Sequence, residues 1–338
     1  MKLSVIIPVH NGGTDFRSCL EAIAASTRLP DEIIVVDDGS TDASAHLARE
    51  FGARVESLTG SPHGPAFARN RGAAIAQGDV LVFLDADVTA HTDTLERIEK
   101  YLCDQSEIAA LFGSYDDHPP KPGLIARYKN LQHHYVHHHS LREASSFWAG
   151  CGAIRRAVFH AVGGFDERYA RPSIEDIELG ARMKRAGYRI WLCPDVQVAH
   201  LKRWTLPSLL RADIFDRAIP WTRLILSNAQ MPTDLNLDTK SRVSALTAWS
   251  LLGFVALGFI VPAVWLGVIG AIALLIALNF DLYRFFARRG GFAFAIGAFG
   301  LHTFYFLYSS FVFGSMLMAH TLAKPFKSKR TQEARHAD

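Results

Sequence analysis

Two aspartates stand one residue apart in the segment Asp85-Ala86-Asp87, directly after the apolar run of residues 79–84. Carboxylates this close repel each other, and the repulsion resists their ionisation unless a cation neutralises it. Mg²⁺ or Mn²⁺ binds such oxygen ligands, and a diphosphate can fill the remaining coordination positions. The pair is equally compatible with a solvated loop, so it predicts a metal site only if other polar groups converge on it.

Two further polar clusters follow apolar runs in the same way. His10-Asn11-Gly12-Gly13 comes after residues 3–8, and Asp37-Asp38-Gly39-Ser40 ends and follows the run at residues 32–37. Taken alone, the second cluster is typical of a turn that caps a helix, with the cap among residues 40–42. Three such clusters at successive strand ends support one another as parts of a single ligand site.

The elements that carry these clusters alternate between strand and helix. This alternation predicts an α/β domain with a mostly parallel sheet and helices on both faces. Such sheets bind ligands at the carboxyl ends of their strands, where the polar clusters fall. The predicted strands are residues 3–8, 32–37 and 79–84, and the predicted helices are residues 14–26, 65–77 and 173–187.

Six motifs between Val5 and Gly180 resemble those of the family 2 inverting glycosyltransferases of the GT-A fold. Each motif is weak by itself, but their order along the chain is specific. The resemblance implies a nucleotide-diphospho-sugar transferase fold and a divalent cation, Mg²⁺ or Mn²⁺. The motifs are Val5-Ile-Ile-Pro-Val-His-Asn11, Val35-Val-Asp-Asp-Gly-Ser-Thr-Asp42, Ala68-Arg-Asn-Arg-Gly72, Phe83-Leu-Asp-Ala-Asp87, Gly163-Gly-Phe-Asp-Glu167 and Ile174-Glu-Asp-Ile-Glu-Leu-Gly180.

The resemblance also implies a role for each matching residue. A group of four residues would line the nucleotide-base pocket, and Arg69 would lie near the nucleotide and its phosphates. Asp85 would face the ribose or the donor sugar, and Asp87 would bind the metal, with His200 near the metal and the diphosphate. Asp176 would be the catalytic base, with Glu175 beside it and Glu178 as the substitute candidate. The four base-pocket residues are Pro8, Asn11, Asp37 and Asp38.

These roles fit the chemistry of sugar transfer. A hydroxyl group is a poor nucleophile, so a carboxylate must accept its proton as it attacks. The leaving nucleoside diphosphate gains charge, which the metal and Arg69 would stabilise. The acids at residues 175–178 also suit a plain helix N-terminus, where the helix dipole favours negative charge, and a single histidine such as His200 is often structural.

Composition limits the environment of the protein. The net charge of +3 does not point to nucleic acid, and the four cysteines form no Cys-x-x-Cys pair. We therefore expect reduced thiols. The chain begins with Met1-Lys2 and a strand-like run, without signal-peptide architecture, so we expect the first domain to be cytoplasmic.

The last third of the chain predicts a membrane region, of the kind found in a bacterial-type inner membrane. Residues 243–280 contain no charge, and residues 290–323 are interrupted only by two histidines. A span needs about 20 apolar residues, so we expect two to three spans over residues 243–323. Pro262 would mark a hairpin between two of them. We assign residues 1–235 to the catalytic domain and residues 324–338 to a basic polar tail.

Two other segments have more than one interpretation. Residues 202–242 mix arginine with tryptophan and leucine, which favours amphipathic helices on an anionic membrane surface over helices packed on the sheet. The cluster His133-His-Tyr-Val-His-His-His139 could bind a metal, but a polar helical face near the acceptor or the membrane is favoured.

The sequence as a whole predicts a membrane-bound enzyme that transfers a sugar from a nucleotide-diphosphate donor to a hydroxyl acceptor. The resemblance favours a UDP-sugar, and the membrane region favours a lipid or lipid-linked glycan as acceptor. Two alternatives stay open, a non-catalytic nucleotide-sugar-binding subunit of a membrane complex and a nucleotidyltransferase.

Overall fold

The computed structural model describes residues 1–228 and 238–335, with side chains as far as residue 322. The chain divides into two compact units, Met1–Thr205 and Leu206–Asp338. We had assigned residues as far as 235 to the catalytic domain, whereas the first compact unit ends at Thr205. The described part of the segment beyond Thr205 packs with the second unit.

The first unit, all of whose residues are described, is built on one eight-stranded sheet of order β3-β2-β1-β4-β7-β6-β8-β5. The pairings give six strands the same direction, and β7 and β5 run the opposite way. The predicted mostly parallel sheet is therefore confirmed. The strands are β1 (Leu3–Val9), β2 (Glu32–Asp38), β3 (Arg54–Leu58), β4 (Val80–Leu84), β5 (Val88–Ala90), β6 (Ile108–Tyr115), β7 (Cys151–Arg155) and β8 (Arg189–His200).

Helices cover both faces of this sheet. Apolar side chains of α1, α2 and α4 fill the core on one face, and those of α3, α6 and α7 fill the core on the other. Helix α5 packs against β6. The bounds are α1 (Gly13–Ala24), α2 (Ser44–Glu50), α3 (Pro65–Ile75), α4 (Thr94–Asp104), α5 (Leu124–His139), α6 (Arg156–Ala161) and α7 (Glu175–Arg185).

Helix α3 approaches the sheet closely because of one glycine. A Cβ atom on Gly72 would lie 2.5 Å from Ile6 Cγ2, which is too short for any side chain. The strands and helices predicted around the polar clusters agree with the observed ones to within two residues at each end. Their agreement follows from long buried apolar runs that end in turn residues.

The second unit consists of helices. A segment of α8 (Leu206–Arg211), a π-helical stretch (Ala212–Ala218) and α9 (Ile219–Asn228) precedes the apolar region. Its Arg211, Phe215 and Arg223 are exposed, and its π-helical stretch and α9 pack against α13 (Phe292–Arg335). The apolar region contains α10 (Thr239–Gly258), a 3₁₀ turn (Pro262–Val264), α11 (Trp265–Leu278), α12 (Phe280–Gly290) and α13 (Phe292–Arg335).

Two of these helices are long and apolar enough to cross a membrane, Thr239–Gly258 and Phe292–Leu322. The pair Pro262–Leu278 and Phe280–Gly290 would add a third span if it acts as one, although it is bent by 78°. Helices α10 and α11 pack against each other across the short connection that contains Pro262. The count of two, or up to three, agrees with the number predicted from the sequence.

The exposed surface of these helices is largely apolar, whereas hydrogen bonds between polar side chains connect helices of this unit. Phe259, Ile260 and Leu266 are largely exposed. Asn279 Nδ2 donates to Ser244 Oγ at 3.0 Å, and Tyr308 Oη donates to Asp213 Oδ2 at 2.7 Å. The rest of the predicted amphipathic segment, at residues 229–237, and the side chains of the predicted basic tail lie outside the described residues.

Candidate active site

The carboxyl ends of β1, β2, β4, β6 and β8 lie along one edge of the sheet, because these strands share one direction. This edge collects residues that are far apart in the sequence. Asn11 follows β1, Asp37 and Asp38 end β2, Asp85 and Asp87 follow β4, and Tyr115 and His200 are the last residues of β6 and β8.

The turns after β1 and β2 are joined through Asn11. Its side-chain oxygen accepts hydrogen bonds from the backbone N–H of Thr41 at 2.7 Å and of Asp42 at 3.3 Å. Its backbone N–H donates to Ser40 Oγ at 2.9 Å. Asn11 has φ of +52°, a left-handed conformation that asparagine tolerates better than most residues. Asn11 therefore fixes the turn after β1 against the turn after β2.

Asp37 and Asp38 are buried and bonded to backbone groups. Asp37 accepts from the N–H of Ser40 at 3.1 Å. Asp38 accepts from the N–H of His63 at 2.9 Å and of Gly64 at 2.7 Å, at the start of α3. Both carboxylates thus shape the loops at this edge, and Pro8 lies partly buried in β1. A nucleotide contact by these residues stays a prediction.

Arg69 is buried beneath the edge and joins two carboxylates. One terminal nitrogen lies 2.7 Å from Asp85 Oδ1, and the other lies 2.8 Å from Glu175 Oε1. The guanidinium also stands over the ring of Phe165 at 5.5 Å. The next residue, Asn70, holds the Phe165 loop by accepting from its N–H and donating to its carbonyl.

Asp87 and His200, the two residues predicted to bind the metal, lie close together. His200 Nε2 lies 3.6 Å from Asp87 Oδ2. The His200 ring stacks on Tyr115 with centroids 4.5 Å apart, which fixes its orientation. Burial by itself would raise the pKa of the Asp87 carboxyl, but His200 and then Lys202 lower it below its usual value.

This donor set suits a divalent cation that also binds a ligand. A carboxylate oxygen and an imidazole nitrogen both bind Mn²⁺, and Mg²⁺ accepts the carboxylate with water and phosphate oxygens. Within the described part of the chain, no group of three or more His, Cys, Asp or Glu side chains is placed to hold a metal. Metal binding by Asp87 and His200 stays a prediction.

The three acids at the start of α7 have different surroundings. Asp176 accepts hydrogen bonds from the N–H of Ala149 at 3.1 Å and of Ile177 at 2.8 Å. Glu178 is paired with Arg182, whose Nε lies 2.8 Å from Glu178 Oε1. Glu178, the substitute candidate for the base, is thus committed to an ion pair. Glu175 is committed to Arg69.

The histidine cluster forms part of helix α5. His134 Nδ1 lies 2.8 Å from the carbonyl oxygen of Tyr115, and His137 Nδ1 lies 2.9 Å from that of Gly113. Both rings are buried against β6. Burial lowers the pKa of His137 to about 4, so this ring is neutral near pH 7. Of the histidines in this cluster, only the exposed ones, such as His139, agree with the favoured interpretation as a polar helical face.

Known proteins match the part of the chain that carries this site. Residues 4–163 match the profile described as Glycosyl transferase family 2, and residues 127–203 match one described as N-terminal domain of galactosyltransferase. Residues 4–163 form a family 2 glycosyltransferase domain. The predicted family is therefore confirmed.

Individual relatives of this glycosyltransferase share much of its length. The O-antigen chain rhamnosyltransferase RfbN of Salmonella typhimurium is 27% identical over 236 residues, covering 65% of this chain and 74% of RfbN. The succinoglycan biosynthesis protein ExoA of Rhizobium meliloti is 29% identical over 255 residues, covering 68% of this chain and 75% of ExoA.

A solved structure confirms the GT-A fold. The mannosyltransferase PcManGT from Pyrobaculum calidifontis, in complex with GDP-Man and Mn²⁺, has a TM-score of 0.54 to this glycosyltransferase at 19% identity. The match covers 88% of this chain and 85% of PcManGT. At this identity the likeness shows the fold alone.

Sequence reasoning missed several partners of the site residues in the glycosyltransferase. Tyr115 stacks on His200, and Arg182 forms an ion pair with Glu178. Phe165 lies beneath Arg69 and belongs to the motif at residues 163–167, which predicts no role for it. The order of the motifs was the only signal for Phe165, and nothing in the sequence links Tyr115 to His200.

The surroundings of Asp176 change its acidity. Burial, followed by the negative charge of Glu175, raises the pKa of Asp176 from 3.8 to about 7. The hydrogen bond from Ala149 and the charge of Arg69 act in the opposite direction but do not cancel the rise. A base with a pKa near the working pH is well suited to accept a proton from a hydroxyl group.

The rate of transfer by the glycosyltransferase should rise with pH and level off above about 7, the pKa of Asp176. Only the ionised carboxylate accepts a proton, so each pH unit below this value should lower the rate about ten-fold. The measurement is the initial rate of nucleoside-diphosphate release at saturating donor, from about pH 5.5 to about pH 9. A rate that stays constant across this range would contradict the assignment of Asp176 as base.

Proposed function

We propose that this glycosyltransferase moves a sugar from a nucleoside-diphosphate donor to a hydroxyl group, with inversion and with Mg²⁺ or Mn²⁺. The observation that carries the proposal is that a candidate metal-binding pair and a candidate base belong to elements that are joined by ion pairs. The Asp87–His200 pair suits a metal-bound diphosphate, and Asp176 next to Glu175 suits a base. Asp85, two residues before Asp87, is joined through Arg69 to Glu175.

The residues of the chain would divide the reaction between them. When bound, the metal would neutralise charge on the diphosphate as it leaves. Asp176 would accept the proton of the attacking hydroxyl, because Glu175 and Glu178 are held by arginines. Attack on the face opposite the leaving group then inverts the anomeric centre. Asp85 would face the sugar or ribose, and Pro8 and Asn11 would border the nucleotide base.

We infer a lipid or lipid-linked glycan as acceptor, used at the cytoplasmic face of an inner membrane. The apolar helices of the second unit and the exposed Arg211, Phe215 and Arg223 support membrane binding. The relatives named as an O-antigen chain rhamnosyltransferase and a succinoglycan biosynthesis protein support an acceptor that belongs to a surface polysaccharide. The nucleotide is proposed to be UDP, with GDP as the alternative found with PcManGT.

A donor screen on the detergent-purified full chain tests the proposal. UDP- and GDP-sugars are offered with Mn²⁺ or Mg²⁺, with total membrane lipid as acceptor, and nucleoside diphosphate and glycolipid are measured. Release from one donor with a new glycolipid is the expected result. Transfer only to water-soluble acceptors would overturn the lipid acceptor, while binding without release would favour a non-catalytic subunit. Release of pyrophosphate would favour a nucleotidyltransferase.

A further inference from the structure

Arg69 lies beneath the edge of the sheet and is held there by protein groups. The residue is only 4% exposed, and each terminal nitrogen donates one hydrogen bond to a protein carboxylate, at 2.7 Å and 2.8 Å. Its buried Nε has no hydrogen-bond partner among the described residues. The ring of Phe165 lies beneath the guanidinium. These contacts hold the guanidinium on two carboxylates of the protein itself.

The two carboxylates belong to the two parts of the proposed site. Asp85 follows β4 and is two residues before Asp87 of the metal pair. Glu175 begins α7 and is the direct neighbour of Asp176. Arg69 itself lies on α3, so its two ion pairs connect three elements that are distant in the sequence. The separation between Arg69 and Glu175 is 106 residues.

The charges in this group explain why it stays together. A buried guanidinium must be paired, and its hydrogen bonds to two carboxylates supply that pairing. Glu175 is also buried and accepts a second hydrogen bond from the N–H of Ser173 at 2.8 Å. Loss of Arg69 would leave Asp85, Glu175 and Asp176 as neighbouring negative charges with no buried cation between them.

We propose that Arg69 is a positioning residue which, through Asp85 and Glu175, fixes the base Asp176 relative to the Asp87 metal pair. This inference rests on the proposed function for the roles of Asp176 and Asp87, but the bridge itself is independent of any activity. It replaces the role near the phosphates that the family resemblance implied for Arg69.

A double-mutant cycle on the thermal midpoint tests the bridge without a substrate. Arg69→Met should lower the midpoint by several degrees, because it leaves the buried carboxylate of Glu175 without its cation. Adding Glu175→Gln removes one of these charges, so the double variant should melt about 3 °C or more above Arg69→Met. Additive effects of the two substitutions would overturn the bridge.

The matched control is a surface pair between Arg71, on the same helix as Arg69, and Glu56 of β3. Arg71 lies 2.6 Å from Glu56, with side chains 49% and 29% exposed. Exposed pairs contribute little, so the cycle of Arg71→Met and Glu56→Gln should show additive changes close to zero. Coupling as large in this pair as in the Arg69 pair would mean that the midpoint does not report a buried bridge.

A second measurement separates positioning from ligand contact. Arg69→Lys keeps the charge but cannot bond both carboxylates in the same planar geometry. We expect the Kd of nucleoside diphosphate with Mn²⁺ to change by less than about three-fold, while turnover falls about 100-fold, as for a misplaced base. A Kd weakened by about ten-fold or more, with turnover unchanged, would show a phosphate contact instead. A wild-type chain that releases no nucleoside diphosphate would refute the proposed function, whereas the midpoint cycle would still decide the bridge.

Discussion

Replacing Asp176 by asparagine should slow transfer at least about 100-fold and at the same time make the protein more resistant to heat. The pKa of Asp176 is raised to about 7 in the folded chain, chiefly by burial. In the unfolded chain this carboxyl ionises at about pH 4, but in the folded chain it ionises only at about pH 7. The free energy of unfolding therefore falls as pH rises between these two values, and the whole decrease is present above about pH 7. The ionised carboxylate then costs on the order of 2–4 kcal/mol.

Asparagine removes this charge but keeps an oxygen that can accept from Ala149. We therefore expect the thermal midpoint at about pH 8 to rise by several degrees in Asp176→Asn. Turnover should fall by about 10²–10⁴, which is the usual contribution of a general base. Scanning calorimetry or dye-based melting, together with nucleoside-diphosphate release, measures both effects on one preparation.

Glu178→Gln is the matched control, since it changes an acid two positions along the same helix. This substitution removes the ion pair with Arg182, whose Nη2 lies 2.7 Å from Glu178 Oε2. We expect a lower thermal midpoint and an unchanged rate per folded molecule, the reverse of the Asp176 result. If Asp176→Asn kept more than a tenth of the rate, or Glu178→Gln lost as much, the assignment of the base would be wrong.

Asp87→Asn should remove the dependence of donor binding on a divalent cation. Asp87 provides the negative charge of the pair with His200, and an amide oxygen is a much weaker ligand for a hard cation. We expect the affinity for nucleoside diphosphate in Mn²⁺ to fall about ten-fold or more, and turnover to fall about 10³-fold. Affinity measured with a chelator present should not change, because the ion then contributes nothing.

An exposed aspartate close in the sequence serves as the control for this variant. Asp93 lies just before α4 and pairs with Arg97, with a side chain that is 41% exposed. Asp93→Asn should leave affinity and its stimulation by Mn²⁺ as in the wild type. Retention of metal stimulation in Asp87→Asn, measured by calorimetric titration, would refute the metal site at this pair.

Local sequence patterns determined much of the fold. The runs ending at Val9, Asp38 and Leu84 are strands because they are apolar, rich in branched residues and followed by turn residues. Parallel strands place their carboxyl ends together, so the pattern also predicted that Asn11, Asp38 and Asp87 would share one edge. The apolar stretches near the end of the chain likewise predicted their helices, since length and absence of charge are local properties.

Only the tertiary structure distinguishes the surroundings of the three acids at the start of α7. Glu175, Asp176 and Glu178 look alike in the sequence, and each suits a helix N-terminus. They differ in their partners. Glu175 pairs with Arg69, which is 106 residues away, and Glu178 pairs with Arg182, one helical turn further along α7. Asp176 is left with backbone donors alone, and the pairing of His200 with Asp87 and Tyr115 arises in the same way. These contacts depend on how β4, β6, β8, α3 and α7 pack, and no pattern within one segment carries that information.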